Sequence, residues 1–274
     1  MNSRWVLVVA ATLLLSACEG RYGNDRSPPE SASDASPGGI FSAANRFAEL
    51  LFYVSERGDF RMHGYFQHDE RDWLVGGAGM VGVNNRNRLI GNFVAQASWE
   101  FAANTFVEPE TLSCELDGNV RERQSMFLTI ECSSGDRVVW NELVEFVYAG
   151  HSYEYRPSSL EAIAANYTLP AGPQTNTLNI NSDGVVFGMF HLGLRCIVNG
   201  EVTLIDTRYN LYWMEWRFSS CSPARPGFEG AQYSGLAGLA LPGAVEGRDG
   251  GIFVLISGMT DDGFNYLSLL YGRV

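Results

Sequence analysis

Residues 177–191, TLNINSDGVVFGMFH, contain the pattern that decides the fold. Two short runs rich in apolar residues flank Asp183-Gly184, a dipeptide that favours a type I′ turn because both central residues of that turn need positive φ. This combination predicts a β-hairpin. Similar dipeptides separate other short apolar and aromatic runs, at Arg57-Gly58, Asp117-Gly118, Ser134-Gly135, Asn199-Gly200, Asp249-Gly250 and Asp262-Gly263. The sequence therefore predicts a protein that is mainly antiparallel β.

The C-terminal half shows its strands most clearly, and eight are predicted there. They lie near Thr177–Ile180, Val185–His191, Leu194–Val198, Glu201–Asp206, Tyr209–Phe218, Tyr233–Ala240, Ile252–Ser257 and Asn265–Gly272. Most connections between them are only a few residues long, which favours a meander of neighbouring strands. Eight short strands can close into a small up-and-down barrel, and closure removes exposed strand edges. A two-sheet sandwich is the alternative architecture.

Two short helices are predicted to interrupt the strands, near Ser42–Leu51 and near Ser159–Asn166. The second begins with Ser158-Ser159-Leu160-Glu161, which matches a Ser-x-x-Glu capping box and follows a proline. Each predicted helix precedes a unit of strand, glycine turn and strand, around Gly58 in the first case and Gly184 in the second. We therefore expect two β lobes of similar plan, with one short helix before each.

The charge balance excludes several chemistries. The chain has 274 residues and a formal net charge of -12, and all 19 basic residues are arginine. Without lysine there is no P-loop lysine, no Schiff-base lysine for pyridoxal phosphate and no Ser-Lys hydrolytic dyad. The acidic balance argues against nucleic-acid binding, which needs basic patches to neutralise phosphates. We expect no cofactor and no nucleic-acid partner.

The N-terminus resembles that of bacterial lipoprotein precursors. An apolar run, Trp5–Leu15, is too short to span a bilayer and reads as an export signal. Leu15-Ser16-Ala17-Cys18 then resembles the lipobox of that family. The resemblance implies that Cys18 is the lipid-modified first residue of the mature protein and that acyl chains such as palmitate attach it to a membrane. Because Glu19 and not aspartate follows the cysteine, the family's sorting rules imply the outer membrane, with the periplasmic or surface side undetermined.

The residues after Cys18 predict a tether and two lobes. They are rich in serine, proline, glycine and aspartate, and a coil of this length spans roughly 25 Å. The predicted organisation is a signal peptide at 1–17, a tether at 18–39, an N-terminal β lobe at 40–152 and a C-terminal β lobe at 153–274. In plan alone, this resembles surface lipoproteins of the transferrin-binding and factor H-binding types. No motif of those families is present, so none of their binding residues is carried over.

Four further cysteines predict disulfides, because an exported chain matures in an oxidising compartment. They allow three pairings, and we favour the two local ones, Cys114 with Cys132 and Cys196 with Cys221. Each would close a short loop and stabilise the fold by roughly 3 kcal/mol. A metal site is the competing interpretation, but no Cys-x-x-Cys spacing supports it.

Three short motifs have simpler structural interpretations. Gly77-Ala78-Gly79-Met80-Val81-Gly82 matches a dinucleotide fingerprint in its letters, yet a turn sequence follows where that site needs a helix, so we expect a glycine-rich strand in a curved sheet. Asn179, Asn181 and Asp183 copy the start of a calcium loop, but Phe190 stands where the bidentate glutamate belongs. A hairpin turn explains that run, and a turn also explains Arg57-Gly58-Asp59.

Histidines offer no catalytic pattern. His63 and His68, beside Asp69 and Glu70, form the densest group of possible ligands, but on one strand the two histidines would face opposite sides of the sheet. His151 and His191 are isolated in the sequence. No Gly-x-Ser-x-Gly nucleophile elbow is present to recruit them. We expect no metal site, although a Ser/His/Asp set assembled only by folding would not be visible in sequence order.

An aromatic segment is the candidate binding surface. Tyr209, Tyr212, Trp213, Trp216 and Phe218 place aromatic rings on both faces of one strand. One face should fill the lobe interior. The other either packs on the neighbouring lobe or is exposed for a partner, and Tyr209, Tyr212, Trp213 and Trp216 are the residues that would then bind it.

These patterns lead to one main functional hypothesis and two alternatives. We expect a membrane-anchored lipoprotein without catalytic activity that acts in envelope structure or by binding an envelope or surface protein. The first alternative is a lipocalin-like carrier whose barrel holds a small apolar ligand in a cavity. The second alternative is a periplasmic hydrolase.

Overall fold

The computed structural model describes most of the chain after its N-terminal segment. The described residues are 35–44, 48–68, 71–84, 86–99, 110–154, 157–171, 174–191, 195–223, 226–244, 250–260 and 263–274. The predicted signal peptide, the lipobox with Cys18 and residues 18–34 of the predicted tether lie outside them, as do Asp69, Glu70, Asp249 and Asp262.

The first β lobe is a closed barrel of eight antiparallel strands. Neighbouring strands follow each other in sequence order, and β8 pairs with β1 to close the sheet. The strands are β1 (Gly39–Ala44), β2 (Ala48–Val54), β3 (Asp59–His68), β4 (Arg71–Val83), β5 (Arg88–Trp99), β6 (Glu110–Arg121), β7 (Ser125–Ser134) and β8 (Arg137–Tyr148). We call this lobe barrel 1.

The second β lobe, barrel 2, has the same topology and closes through pairing of its last strand with its first. Its strands are β9 (Ala165–Ala171), β10 (Gln174–Ile180), β11 (Val185–Phe190), β12 (Cys196–Leu204), β13 (Tyr212–Ser219), β14 (Gln232–Ala240), β15 (Gly251–Thr260) and β16 (Gly263–Arg273). Two single helical turns, α1 (Gly150–Tyr153) and α2 (Leu160–Ile163), lie between the barrels in sequence, and a 3₁₀ turn, Pro226–Phe228, follows β13. The mainly β prediction is confirmed, and the architecture is two barrels, not sandwiches.

Side chains from the strands themselves fill both interiors. An eight-stranded barrel is just wide enough for its inward-facing side chains, and here many of these are aromatic. Fully buried rings in barrel 1 are Phe41, Phe52, Phe60, Phe66, Trp140 and Phe146, and those in barrel 2 are Tyr167, Phe190, Tyr212, Trp216, Phe218, Tyr233 and Tyr271. Each barrel therefore has its own hydrophobic core.

The turn after β2 and the turn after β10 have the same geometry. The Ser55 hydroxyl in one, and the Asn181 side-chain oxygen in the other, accept hydrogen bonds from the backbone N–H groups two and four residues later. Gly58 and Gly184 then take positive φ, and the carbonyl of each accepts an N–H from the next strand beyond the hairpin. This shared construction agrees with two lobes of similar plan.

The helix predicted near Ser42–Leu51 is wrong, because this segment contributes to β1 and β2. Along β2, Leu50 and Phe52 point into barrel 1, whereas Glu49 and Leu51 face outward. Burial of Phe52 in the core follows the two-residue period of a strand and overrides local helix propensity.

The second predicted helix is shorter than expected. Ser159 caps α2 by accepting a hydrogen bond from the Ala162 N–H at 3.1 Å. The Ser-x-x-Glu box places the cap one residue earlier, at Ser158, but the Ser158 hydroxyl donates to the Asp206 carbonyl instead. The helix ends at Ile163, whose side chain is buried in the core of barrel 2. Ala165 begins β9, which the sequence did not predict and which closes the barrel against β16.

Two predicted turns lie inside strands. Asn199-Gly200 is part of β12, so the strands predicted near Leu194–Val198 and Glu201–Asp206 correspond to a single strand, and Asp117-Gly118 is part of β6. A Cβ at Gly200 or Gly118 would overlap a backbone carbonyl of the adjacent strand, so these glycines permit close approach in a curved sheet. The predicted total of eight C-terminal strands still holds, because β9 replaces the strand lost by merging.

The two barrels share a third apolar cluster. It contains buried residues of both, namely Ile40, Tyr53, Tyr209, Leu211, Leu236 and Leu255. Tyr266 of β16 stacks on His63 and lies directly over Gly76 of β4. The Gln96 side chain donates to the Phe264 carbonyl at 3.1 Å and accepts from the Tyr266 N–H at 3.3 Å. The contact between the barrels is thus both apolar and hydrogen-bonded.

Arg61 is a buried charged residue of this contact. Its side chain is buried, donates to the Ser234 carbonyl of barrel 2 at 2.8 Å and lies over the ring of Trp213. Burial lowers the pKa of the guanidinium, while the negative charge of Asp59 and the Tyr266 phenolate would raise it. A buried cation needs such polar and aromatic partners, and the Ser234 carbonyl and the Trp213 ring of barrel 2 supply them to Arg61.

Gly76→Ala should destabilise the protein through the contact between the barrels. A Cβ at this position would overlap the Tyr266 ring, and overpacking of a filled interface typically costs about 1–3 kcal/mol. The decrease should appear as a lower urea midpoint of unfolding. Gly82→Ala on the same strand is the control, because nothing lies near its Cβ position, and it should leave the midpoint almost unchanged. Equal effects of the two substitutions would contradict this account of the interface.

The contact between the barrels should weaken at high pH. Burial raises the pKa of Tyr53 from 10.0 to about 12, so its neutral form is favoured in the folded state. Stability from this group is fully present below pH 10 and is lost as the pH rises toward 12, by about 2 kcal/mol. Tyr53→Phe should reduce the fall in urea midpoint between pH 9 and pH 12. A variant with an unchanged pH dependence would show that Tyr53 does not contribute.

Candidate functional site

The predicted aromatic binding surface is not an exposed face. Tyr212 and Trp216 point into barrel 2 and are at most 2% exposed. Trp213 is half-buried beneath Arg61, whose Cζ lies 5.5 Å from the ring centre. Tyr209 is buried in the cluster between the barrels. The outward-facing aromatic residues were expected either to pack on the neighbouring lobe or to be exposed for a partner. Trp213 and Tyr209 pack on the neighbouring lobe. Tyr212 and Trp216 fill the interior of barrel 2.

In the described part of the chain, the histidines do not form a metal site. His63 is half-buried against Tyr266, and burial lowers the pKa of its imidazole. The backbone N–H of His191 donates to the Asn176 side chain. The side chains of His68 and His151 lie outside what the structure describes. Among the described residues, no three His, Cys, Asp or Glu side chains come together as metal ligands.

The short motifs occupy structural positions. The glycines of the dinucleotide-like run lie within β4, where Gly77 leaves room for the ring of Phe93 and Gly79 leaves room for the Asn92 carbonyl. The calcium-like run forms the turn between β10 and β11, and its Asn181 oxygen is occupied by backbone N–H groups. Arg57-Gly58-Asp59 forms the turn into β3.

Both predicted disulfides are present. Cys114 of β6 and Cys132 of β7 lie directly opposite each other and are bonded. Cys196, the first residue of β12, is bonded to Cys221, which follows β13. The first disulfide closes an 18-residue separation and links two neighbouring strands of barrel 1.

A groove lies on the outer wall of barrel 1, directly above the Cys114–Cys132 disulfide. It crosses β4 to β7 and has a volume of about 600 Å³. The side chains that shape it are Met80, Val94, Ser113, Glu115, Glu131 and Ser133. We refer to it as the outer groove. These six side chains lie on the outer side of the sheet, because inward and outward side chains alternate along each strand. Phe93 and Cys114, which also line the groove, belong to the core below it.

Strand register explains how the outer groove forms. One transverse row across the wall runs Met80, Asn92, Glu115, Glu131, Asn141, and the adjacent row runs Ala78, Val94, Ser113, Ser133, Val138. Small side chains in the second row leave the depression. Met80 and Val94 form an apolar end, with 49% and 38% of their surfaces exposed. The two carboxylates form the other end.

Glu115 and Glu131 are a like-charge pair. They oppose each other across β6 and β7, where Cβ atoms lie about 5 Å apart. The Asn141 side chain donates to Glu131 at 2.9 Å. Nearby arginines are engaged elsewhere: Arg88 pairs with Asp117, and Arg137 pairs with Glu110. None of the described residues forms an ion pair with either groove carboxylate.

The acidic charge of the barrel strands is concentrated on this wall. Strands β6 to β8 carry Glu110, Glu115, Asp117, Glu131, Glu142 and Glu145 against Arg121 and Arg137. The strands of barrel 2 carry Glu201 and Glu215 against Arg217 and Arg273, so their charges balance. The negative potential of the wall around the outer groove therefore exceeds that of the barrel 2 strands.

Sequence reasoning did not identify the groove carboxylates, although a signal for them exists. Glu115 follows Cys114, and Glu131 precedes Cys132. If the two cysteines pair across antiparallel strands, the adjacent glutamates must also oppose each other. The predicted disulfide could thus have located the like-charge pair.

Comparison with known proteins gives no further guide to the site. No protein-family model, no curated protein and no solved structure matches the chain. In the described residues, no helix combines the length and apolar character of a membrane span.

Glu115→Gln should stabilise the protein. It removes repulsion from Glu131 while keeping the side-chain shape, and cross-strand pairs of this kind contribute roughly 0.2–1 kcal/mol. The urea midpoint should rise at low salt, and the gain should shrink at high salt because salt screens the repulsion. Glu145→Gln is the matched control, since Glu145 opposes Phe127 and not a second carboxylate. No gain for Glu115→Gln, or the same gain for both variants, would contradict the repulsion.

Proposed function

We propose that this protein is a lipid-anchored bacterial envelope lipoprotein that acts without catalysis, by binding another protein through the outer groove. The observation that carries the proposal is the contrast between the two surfaces of barrel 1. Its interior is filled by its own side chains, whereas its outer wall leaves Met80 and Val94 exposed beside a concavity. Exposed apolar side chains with a polar rim are typical of protein-binding surfaces.

Location in the envelope is supported by two independent features. The lipobox-like sequence at Leu15–Cys18 is expected to direct lipid attachment at Cys18 and retention at the outer membrane. Two disulfides suit the oxidising conditions of an exported protein. The lipid, and not the acidic protein surface, would hold the protein at the membrane, because anionic headgroups repel a negatively charged body.

The two alternative functions receive less support. A lipocalin-like carrier needs an interior cavity, but aromatic rings such as Phe52 and Phe146 in barrel 1, and Trp216 and Tyr233 in barrel 2, are packed where that ligand would lie. A hydrolase needs a histidine in a cleft with a nucleophile. Neither His63 nor His191 lines the outer groove.

Cys18→Ala should release the protein from the membrane fraction, because it removes the only proposed site of acylation. Fractionation of envelopes and mass spectrometry of the N-terminal peptide would measure both outcomes. Cys114→Ser combined with Cys132→Ser is the control, since it removes two cysteines but leaves the anchor. A Cys18→Ala variant that still sediments with membranes and carries lipid would contradict the anchor.

The outer groove should be occupied by a protein in living cells. A photo-crosslinking amino acid at Thr129, which lies one row away from Glu131 on β7, would sample the groove edge without filling it. The same amino acid at Thr175, an exposed position on β10, is the control. We expect a discrete protein adduct at Thr129 alone. Absence of an adduct, or the same adduct at both positions, would contradict binding through the groove.

A further inference from the structure

We propose that the partner presents a cationic side chain, an arginine or a lysine within an extended protein segment, that binds between Glu115 and Glu131 of the outer groove. This inference rests on the proposed protein-binding function and specifies the chemistry of its partner. It follows from charge complementarity and from the shape of the groove.

Charge complementarity comes from carboxylates that lack a counterion within the described part of the fold. Glu115 and Glu131 are adjacent, solvent-facing and without an arginine partner, although Arg88 and Arg137 lie on neighbouring strands. Like charges directly opposite each other destabilise a sheet. A cation between them converts this repulsion into two charge-assisted hydrogen bonds, and the planar guanidinium of arginine suits two carboxylates best.

The apolar end of the groove indicates that the partner also presents an apolar side chain. Met80 and Val94 expose apolar surface on β4 and β5. Met80 lies two strand spacings, roughly 10 Å, from Glu115 on β6, and Val94 lies one strand spacing from β6. In an extended peptide, residues two and four positions apart point to the same side and lie about 7 and 13 Å apart. The matching segment therefore has an apolar residue two or four positions from the cation.

The two strands beneath the groove carboxylates, β6 and β7, are joined by a disulfide. The Cys114–Cys132 disulfide joins the residues next to Glu115 and Glu131 and fixes the register of the two strands beneath the groove. The carboxylates are thus held opposite each other before any partner binds. Pre-organised groups lose less entropy on binding, which favours recognition of a short segment.

The test uses the purified full chain and two short synthetic peptides in buffer with EDTA, so that no divalent cation can bridge the groups. One peptide contains leucine with arginine two and four positions later, and the other has citrulline, the neutral isostere, in place of each arginine. Peptide-observed NMR titration measures both affinities. We expect the arginine peptide to bind at least about tenfold more tightly than the citrulline peptide, with an affinity that falls as salt is added.

Two double variants separate the groove from the general charge of the protein. Glu115→Gln with Glu131→Gln should weaken binding of the arginine peptide about tenfold or more. Glu142→Gln with Glu145→Gln changes the net charge by the same amount on the neighbouring strand β8 and should weaken it less than about twofold. Circular dichroism and the urea midpoint confirm that both variants are folded.

Each other outcome overturns the inference. Equal weakening by both double variants would assign binding to the overall acidic charge. Equal affinities of the arginine and citrulline peptides, or an unchanged affinity of Glu115→Gln with Glu131→Gln, would show that no cation binds between the carboxylates. Failure of both peptides to bind would also reject the cationic segment. In all these cases the crosslinking experiment at Thr129 tests the proposed protein-binding function independently of the peptide titration.

Discussion

Closure of each eight-stranded sheet around its own side chains is the constraint on which the rest of the structure depends. A barrel of this size has room either for its inward-facing side chains or for one small ligand, and here rings such as Phe52, Trp140 and Trp216 lie in the interior. Our proposal therefore places binding on an outer wall. The same constraint requires close approach of strands, which Gly118 and Gly200 permit because a Cβ there would overlap a neighbouring carbonyl.

The two outer regions are used differently. The walls that meet between the barrels bury Tyr53, Tyr266 and the cation of Arg61, and the polar contacts of Arg61 and Gln96 determine one way of docking. On the outer wall formed by β6 to β8, most carboxylates stay exposed and form the acidic excess of the barrel strands. Glu115 and Glu131 oppose each other there at a cost in stability, held in register by a disulfide directly below them. A cation bound between the two carboxylates, as we propose, would offset this repulsion.

Much of the fold could be predicted from the sequence, because turn dipeptides and apolar alternation are local signals. The glycine turns at Gly58 and Gly184, the eight-strand total of the C-terminal lobe and both disulfide pairings were predicted correctly. Errors arose where barrel curvature overrides local preference. Asn199-Gly200 was predicted to be a turn, but it lies within β12 and allows the neighbouring strand to approach closely. Ser42–Leu51 was predicted to be a helix, but it contributes core residues to β1 and β2. The outer groove depends on register between strands, so Glu115 and Glu131, 16 residues apart in sequence, became neighbours only in the folded barrel.

The central claim, that binding occurs on the outer wall of barrel 1 and not inside either barrel, can be tested by NMR of the full chain with labelled methionine methyl groups. Met80 lines the groove, Met62 and Met126 report the interior of barrel 1, and Met214 reports that of barrel 2. Met189 and Met259 report other exposed positions. On addition of the arginine peptide, our account predicts that the Met80 signal shifts and that the others do not. Shifts of Met62, Met126 or Met214 without a shift of Met80 would contradict it.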